Sequence, residues 1–199
     1  MRPMGSAWLR EATARHRRAM IVAAGVAAAV VAAALVWSRP AAPAASQAAL
    51  SPALGFSRVS RPAPAFDLPP LNGHGSVRLA ALRGRPVVVN FWSSTCAPCQ
   101  RESPAIARVA AALRGKVTFV GIDTADSKSA ARAFAIRTHM TYHLAYDPTA
   151  SAASQYRVPA LPETVFLTSS GTKIVGVDLG ALTAQHLSGI LRDLYGITT

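Results

Sequence analysis

The feature that most constrains this chain is the run Val87-Val88-Val89-Asn90-Phe91-Trp92-Ser93-Ser94-Thr95-Cys96-Ala97-Pro98-Cys99. Its first half is β-branched and aromatic, which reads as a buried strand. A short polar loop, Ser93 to Thr95, ends the strand and delivers the first cysteine. Beyond Cys99 the apolar residues Ile106, Val109, Ala110 and Leu113 recur at helical spacing. Both cysteines of the chain therefore sit where a strand hands over to a helix N-terminus. That end of a helix has unpaired N–H groups and about half a positive charge, so it favours an anion such as a thiolate.

A helix terminus contributes up to ~2 kcal/mol in partly buried geometry, and roughly 1.36 kcal/mol is one pKa unit. A thiol starting near ~8.5 would fall towards ~7 and be about half ionised at neutral pH. Cys96, nearest the helix start, is the predicted nucleophile. Cys99, one turn further in, is the predicted resolving thiol. A zinc site would need two more Cys or His ligands, and there is no third cysteine. A c-type haem attachment would need His after Cys99, where Gln100 stands. A structural disulfide stays open, although closing so short a loop is worth only about 2 kcal/mol on entropic grounds.

The chain has 199 residues, one ordinary domain with an extension. Its net charge of +12 raises nucleic acid as a partner class. The basic residues do not form one patch, however, and no helix-turn-helix, zinc-finger or aromatic RNA-binding signature occurs. No nucleic acid partner is expected. Arg10, Arg15, Arg17 and Arg18 instead crowd ahead of an apolar run, Ala19 to Trp37, that contains no charged residue. At 1.5 Å per residue that run spans about 28 Å, close to the ~30 Å hydrocarbon core of a bilayer.

The positive-inside rule then keeps residues 1–18 cytoplasmic, makes 19–37 a transmembrane anchor and places the rest outside. The alternative is a cleaved secretory signal, since Ala42-Pro43-Ala44 offers small residues of the cleavage type. Either way the folded part faces a compartment where disulfides persist. Residues 38–62, rich in Ala, Pro and Ser, read as a linker with too little apolar surface to fold. The folded domain is expected over 63–199.

Within it, Phe66-Asp67-Leu68 and Ser76-Val77-Arg78-Leu79 flank Asn72-Gly73-His74-Gly75 and read as a hairpin. Pro104 is predicted to kink the cysteine helix. Val117–Asp123 reads as a buried strand, Ser127–Thr138 as a helix, and Tyr142–Tyr146 as a short strand. Thr149–Tyr156 reads as a short helix. Thr164–Leu167 and Lys173–Val177 read as strands joined by Ser169-Ser170-Gly171, and Thr183–Tyr195 as an amphipathic helix. This order predicts an α/β domain, a mixed sheet with helices on both faces.

With Cys96-Ala97-Pro98-Cys99, Asn90-Phe91-Trp92, Glu102, Pro104 and Leu161-Pro162-Glu163-Thr164 in view, residues 63–195 resemble the thioredoxin superfamily. The resemblance is narrower to its membrane-anchored TlpA/ResA/CcmG-type thiol-disulfide oxidoreductases. It implies a thioredoxin-like fold with an N-terminal hairpin, and a helix-strand insertion between Asp123 and Tyr156. It implies that Pro162, rather than Pro159, is the cis-proline that holds the backbone of Leu161 beside Cys96 for a substrate chain. Trp92, Thr95 and Pro98 complete the implied substrate-binding set. Glu102, three residues past Cys99, is on the same helix face and suits a proton carrier for Cys99; complementing the helix dipole is its other reading.

Two departures stand out. Thr95 occupies the position before the first cysteine, where the family often has Trp. Asn90 stands where thioredoxin has a buried Asp, which leaves Glu102 to take over that proton-accepting task. His139-Met140-Thr141-Tyr142-His143 has copper-type spacing, but lies at a predicted helix end, and no metal site is expected. No cofactor beyond a redox-active Cys96–Cys99 disulfide is expected. The resemblance implies reduction of protein disulfides, apocytochrome c among them, with electrons from a membrane partner. A disulfide oxidase and a non-catalytic thiol-dependent chaperone or metal carrier are the alternatives.

Overall fold

A computed structural model of the protein describes residues 55–198. The predicted basic N-terminus 1–18, the membrane anchor 19–37 and residues 38–54 of the linker lie outside the described residues. Among the described residues no helix is long and apolar enough to cross a membrane.

The chain opens with β1 (Gly55–Pro62), forms a small hairpin of β2 (Asp67–Leu68) and β3 (Val77–Arg78), then enters β4 (Val87–Trp92) and α1 (Ala97–Ala112). It continues through β5 (Thr118–Thr124), α2 (Lys128–Arg137), β6 (His143–Asp147) and α3 (Ser151–Tyr156). It ends with β7 (Glu163–Leu167), β8 (Lys173–Leu179) and α4 (Ala184–Tyr195). Six strands make one sheet in the order β1-β8-β7-β4-β5-β6. β4 and β5 are parallel, as are β5 and β6, so each step needs a crossover, which α1 and α2 supply. β7 is antiparallel to both β4 and β8. The sheet is therefore mixed, and β4 lies inside it.

Every residue of β4 is buried, as a strand covered on both faces requires. Val87, Val89 and Phe91 point into a core with Phe66, Leu68, Val77 and Tyr156. Val88 points the other way, against Ile106 and Val109 of α1 and Leu187 and Ile190 of α4. Trp92 joins Cys99, Phe134 and Met140 in a third cluster. Helices do lie on both faces, but unequally. One face carries α1, α2 and α4, while the other is closed largely by the hairpin and the six-residue α3.

One expectation needs correction. Residues Gly55–Pro62 are not linker but the edge strand β1, paired antiparallel with β8. Phe56 anchors it, edge-on to Phe166 at 5.9 Å. A register shift between Arg58 and Arg61 breaks the alternation that would have betrayed a strand. The cysteine helix runs as one element through Pro104, which is exposed. Met140 is buried in the core while His139 and His143 are exposed, so the three do not form a common ligand set.

Candidate active site

Cys96 is the N-cap of α1. Its Sγ accepts from Cys99 N at 3.2 Å and its carbonyl accepts from Gln100 N at 3.1 Å. Proline is tolerated in the first turn of a helix, where N–H groups have no intrahelical partner, and Pro98 stands there. The two sulfurs are joined as a disulfide. Their exposure is unequal: Cys96 is half-buried and Cys99 is fully buried, so an incoming thiolate can reach only Cys96.

The loop ahead of Cys96 is tied down by a residue that sequence reading missed. Asp126, in the β5–α2 loop, accepts from Ser94 N at 2.6 Å and from Ser93 Oγ at 3.2 Å. Burial works to raise its pKa, but hydrogen bonds from Ser94, Ser127 and Ser93 win and hold it below the usual carboxylate value. Thirty residues separate Asp126 from the cysteines, so no local pattern could have linked them.

The Leu161–Pro162 peptide is cis. Because Glu163 pairs with Phe91, Pro162 follows alongside Trp92 at the end of β4 that leads to the cysteines. Leu161 and Cys96 both pack on the cluster of Trp92 and Cys99. Gly180 N donates to the carbonyl of Pro162. Thr95 is exposed, Pro98 and Leu161 are half-buried, and Pro162 is buried. Trp92 is different. It is completely buried, with its ring 5.0 Å from Phe134, and has no surface to offer a substrate. The expectation that Trp92 binds substrate is corrected: it is the floor under Cys99.

Glu102 is also buried. Its Oε1 accepts from Asn90 Nδ2 at 2.8 Å and its Oε2 from Leu182 N at 2.8 Å. Asn90 also donates to Thr164 Oγ1 at 3.1 Å. Burial pushes Glu102 up to about 7, against the lowering pull of Leu182 and Asn90. A carboxyl with that pKa, one helical turn beyond the buried thiol, can accept or release a proton near neutrality. Glu163, next to the cis-proline, is likewise pushed up to about 7 by burial, with Arg61 opposing. Among the described residues no cluster of His, Cys, Asp and Glu could hold a metal.

This arrangement has known counterparts. The thiol-disulfide oxidoreductase ResA of Oceanobacillus iheyensis is 28% identical over 141 residues, covering 69% of this chain and 73% of that protein. The thiol:disulfide interchange protein DsbE of Pseudomonas fluorescens biotype C is 35% identical over 123 residues, covering 60% of this chain and 67% of that protein. A crystal structure of a secreted Mycobacterium tuberculosis disulfide oxidoreductase, homologous to E. coli DsbE, superposes with a TM-score of 0.59. It shares 32% identity and covers 65% of this chain and 96% of that one. The model of the AhpC/TSA family matches residues 59–175. With that match spanning the hairpin, the disulfide and the cis-proline, the chain belongs to the AhpC/TSA family and is a thioredoxin-like thiol-disulfide oxidoreductase of the ResA and DsbE type.

Proposed function

We propose that the protein is tethered to the membrane, faces the extracytoplasmic side and reduces disulfides in other proteins. The observation that carries the exchange chemistry is the unequal pair at the start of α1, a reachable Cys96 over a buried Cys99. In the reduced state the Cys96 thiolate attacks one sulfur of a substrate disulfide. A mixed disulfide forms and the other substrate sulfur leaves as a thiolate. Cys99 then loses its proton to Glu102 and attacks Cys96, re-forming the intramolecular disulfide and releasing the second substrate thiolate. Two electrons pass from protein to substrate, and no cofactor other than the cysteine pair is needed.

Leu161 supports the docking step, because among the described residues neither its N–H nor its C=O has a hydrogen-bond partner. A substrate chain can pair with that backbone beside Cys96. The charge-free run 19–37 behind a cluster of arginines supports the tether. Apocytochrome c is the proposed client and a membrane thiol-transfer protein the proposed electron donor, both on the strength of the ResA and DsbE resemblance.

The test is Cys99→Ala. This variant should accumulate mixed disulfides through Cys96 with client proteins, and a Cys96→Ser control should accumulate none. A chaperone or metal carrier would trap nothing in either case. Titration of the wild-type pair against glutathione decides direction: a midpoint well on the reducing side supports a reductase, and one on the oxidising side supports an oxidase.

A further inference from the structure

Two elements hold the turn that carries Cys96. On one side α1 presents Cys99 N to Sγ at 3.2 Å, and the positive helix end favours thiolate. On the other side lies Asp126. The turn Ser93–Cys96 is closed by Cys96 N donating to Ser93 O at 3.2 Å. Asp126 Oδ2 engages two of its donors, Ser94 N at 2.6 Å and Ser93 Oγ at 3.2 Å, while Oδ1 accepts from Ser127 N at 2.7 Å. A β-turn keeps its end residues within ~7 Å between Cα atoms, so the carboxylate grips the turn that delivers the nucleophile.

Among the described residues no Lys, Arg or His forms an ion pair with that carboxylate; the ion pairs are His186 with Asp178 and Arg192 with Asp193. Lys128, in the first turn of α2, holds its Nζ 5.5 Å from the Tyr146 ring. From β6, Tyr146 Oη donates to the backbone carbonyl of Asp126, not to its carboxylate. Asp147 on the same strand spends its oxygens on the N–H groups of Ser151, Ala152 and Ala153. From β5, Asp123 is buried and no donor reaches either of its oxygens. Burial, then the charge of Asp126 and a side-chain hydrogen bond with it, pushes Asp123 up to about 8, so at neutral pH it is mostly protonated and faces Asp126 as a neutral carboxyl. From α1, Glu102 is held by Asn90 and Leu182.

We propose that Asp126 is a positioning residue for the nucleophile: its carboxylate fixes the Ser93–Cys96 turn and sets a negative charge on that turn, which opposes the helix and keeps the pair on its disulfide-favouring, reducing side. The relevant balance is protein disulfide plus two glutathione thiols giving protein dithiol plus glutathione disulfide. A charge that disfavours the Cys96 thiolate draws this balance to the left. The inference rests on the oxidoreductase reading and names what tunes it.

The full chain is compared with Asp126→Asn, which removes the charge but keeps one oxygen for Ser94, and with Ser93→Ala, which removes one bond but keeps the charge. Two quantities are read: the pH profile of Cys96 alkylation by iodoacetamide, and the glutathione ratio at half reduction. Asp126→Asn should speed alkylation at pH 6 at least threefold. It should also lower the value of [glutathione]² over [glutathione disulfide] at half reduction at least threefold. Ser93→Ala should stay within twofold of wild type on both. Should Asp126→Asn not fold, Asp126→Ser, neutral and still an acceptor, carries the same readouts. If the neutral variant matches wild type on both, or only melts earlier, the proposal is overturned. If wild type itself reduces no protein disulfide, the oxidoreductase reading fails first, and that outcome is distinct.

Discussion

At the scale of single residues, two carboxyl groups frame the cysteine pair, Glu102 one helical turn beyond Cys99 and Asp126 bonded to the loop before Cys96. Glu102 sits behind Cys99, buried and bonded to Asn90 and Leu182. Asn90, which stands where thioredoxin has a buried Asp, donates to Glu102 and fixes the direction of its carboxyl. Glu102→Gln should therefore slow the resolution of a mixed disulfide at neutral pH by at least tenfold, the lower range of acid–base assistance being ~100-fold. It should also remove the limb of the rate–pH profile centred near 7, which is where burial pushes this group. Stopped-flow decay of a preformed mixed disulfide measures both. The placement of Cys96, Cys99 and Glu102 along one helix start was legible because three-residue spacing on a helix is local. The burial of Trp92 was not, because an indole beside a redox pair can be wall or floor, and only Phe134 arriving from α2 decides it.

At the scale of elements, close approaches between strands and helices decide what the sheet tolerates. Gly121 of β5 lies under the indole of Trp92, where an added Cβ would come 2.8 Å from Nε1 and 2.9 Å from Leu144 Cδ2. Both neighbours are buried, so Gly121→Ala should cost about 1–3 kcal/mol by overpacking. A lower urea midpoint with unchanged slope checks this. At the sheet edge, Gly176 leaves room for the ring of Phe56, with a hypothetical Cβ only 2.6 Å from it. A chain started at Ala63 would lose β1 and bare the whole of β8. It should show a lower melting temperature and concentration-dependent aggregation by light scattering, as exposed strand edges do. Most elements were readable from periodicity because their packing is regular. β1 was not, since its bulge and its half-exposed surface erase the period of two.

At the scale of the whole molecule, buried acids shape the response to pH. Burial raises Glu102 and Glu163 to about 7, and burial with the neighbouring charge of Asp126 raises Asp123 to about 8. These groups keep protons in the folded state that the unfolded chain releases near ~4. Between those values the folded protein binds more protons than the unfolded one, so stability falls as pH rises. Below ~4 their contribution is fully present, and it is lost as pH passes through about 7 to 8. Asp126 works in the opposite sense, since its lowered pKa makes it stabilising until strong acid protonates it. Melting temperature should therefore be higher at pH 5 than at pH 8, and Asp123→Asn should flatten that slope. Differential scanning calorimetry across this range gives the answer.

The chain's own order of residues determined the strand-to-helix handover, the identity of the reactive pair and the general α/β plan. Each depends on neighbours within one or two turns, or on a hydrophobic period that packing must respect. Tertiary structure alone decided that Asp126 grips the loop before Cys96, that Leu182 N reaches Glu102, and that Gly55–Pro62 completes the sheet. These contacts join positions about 30, 80 and 120 residues apart along a chain whose consecutive Cα atoms are ~3.8 Å apart, and only the closed sheet brings them within bonding distance.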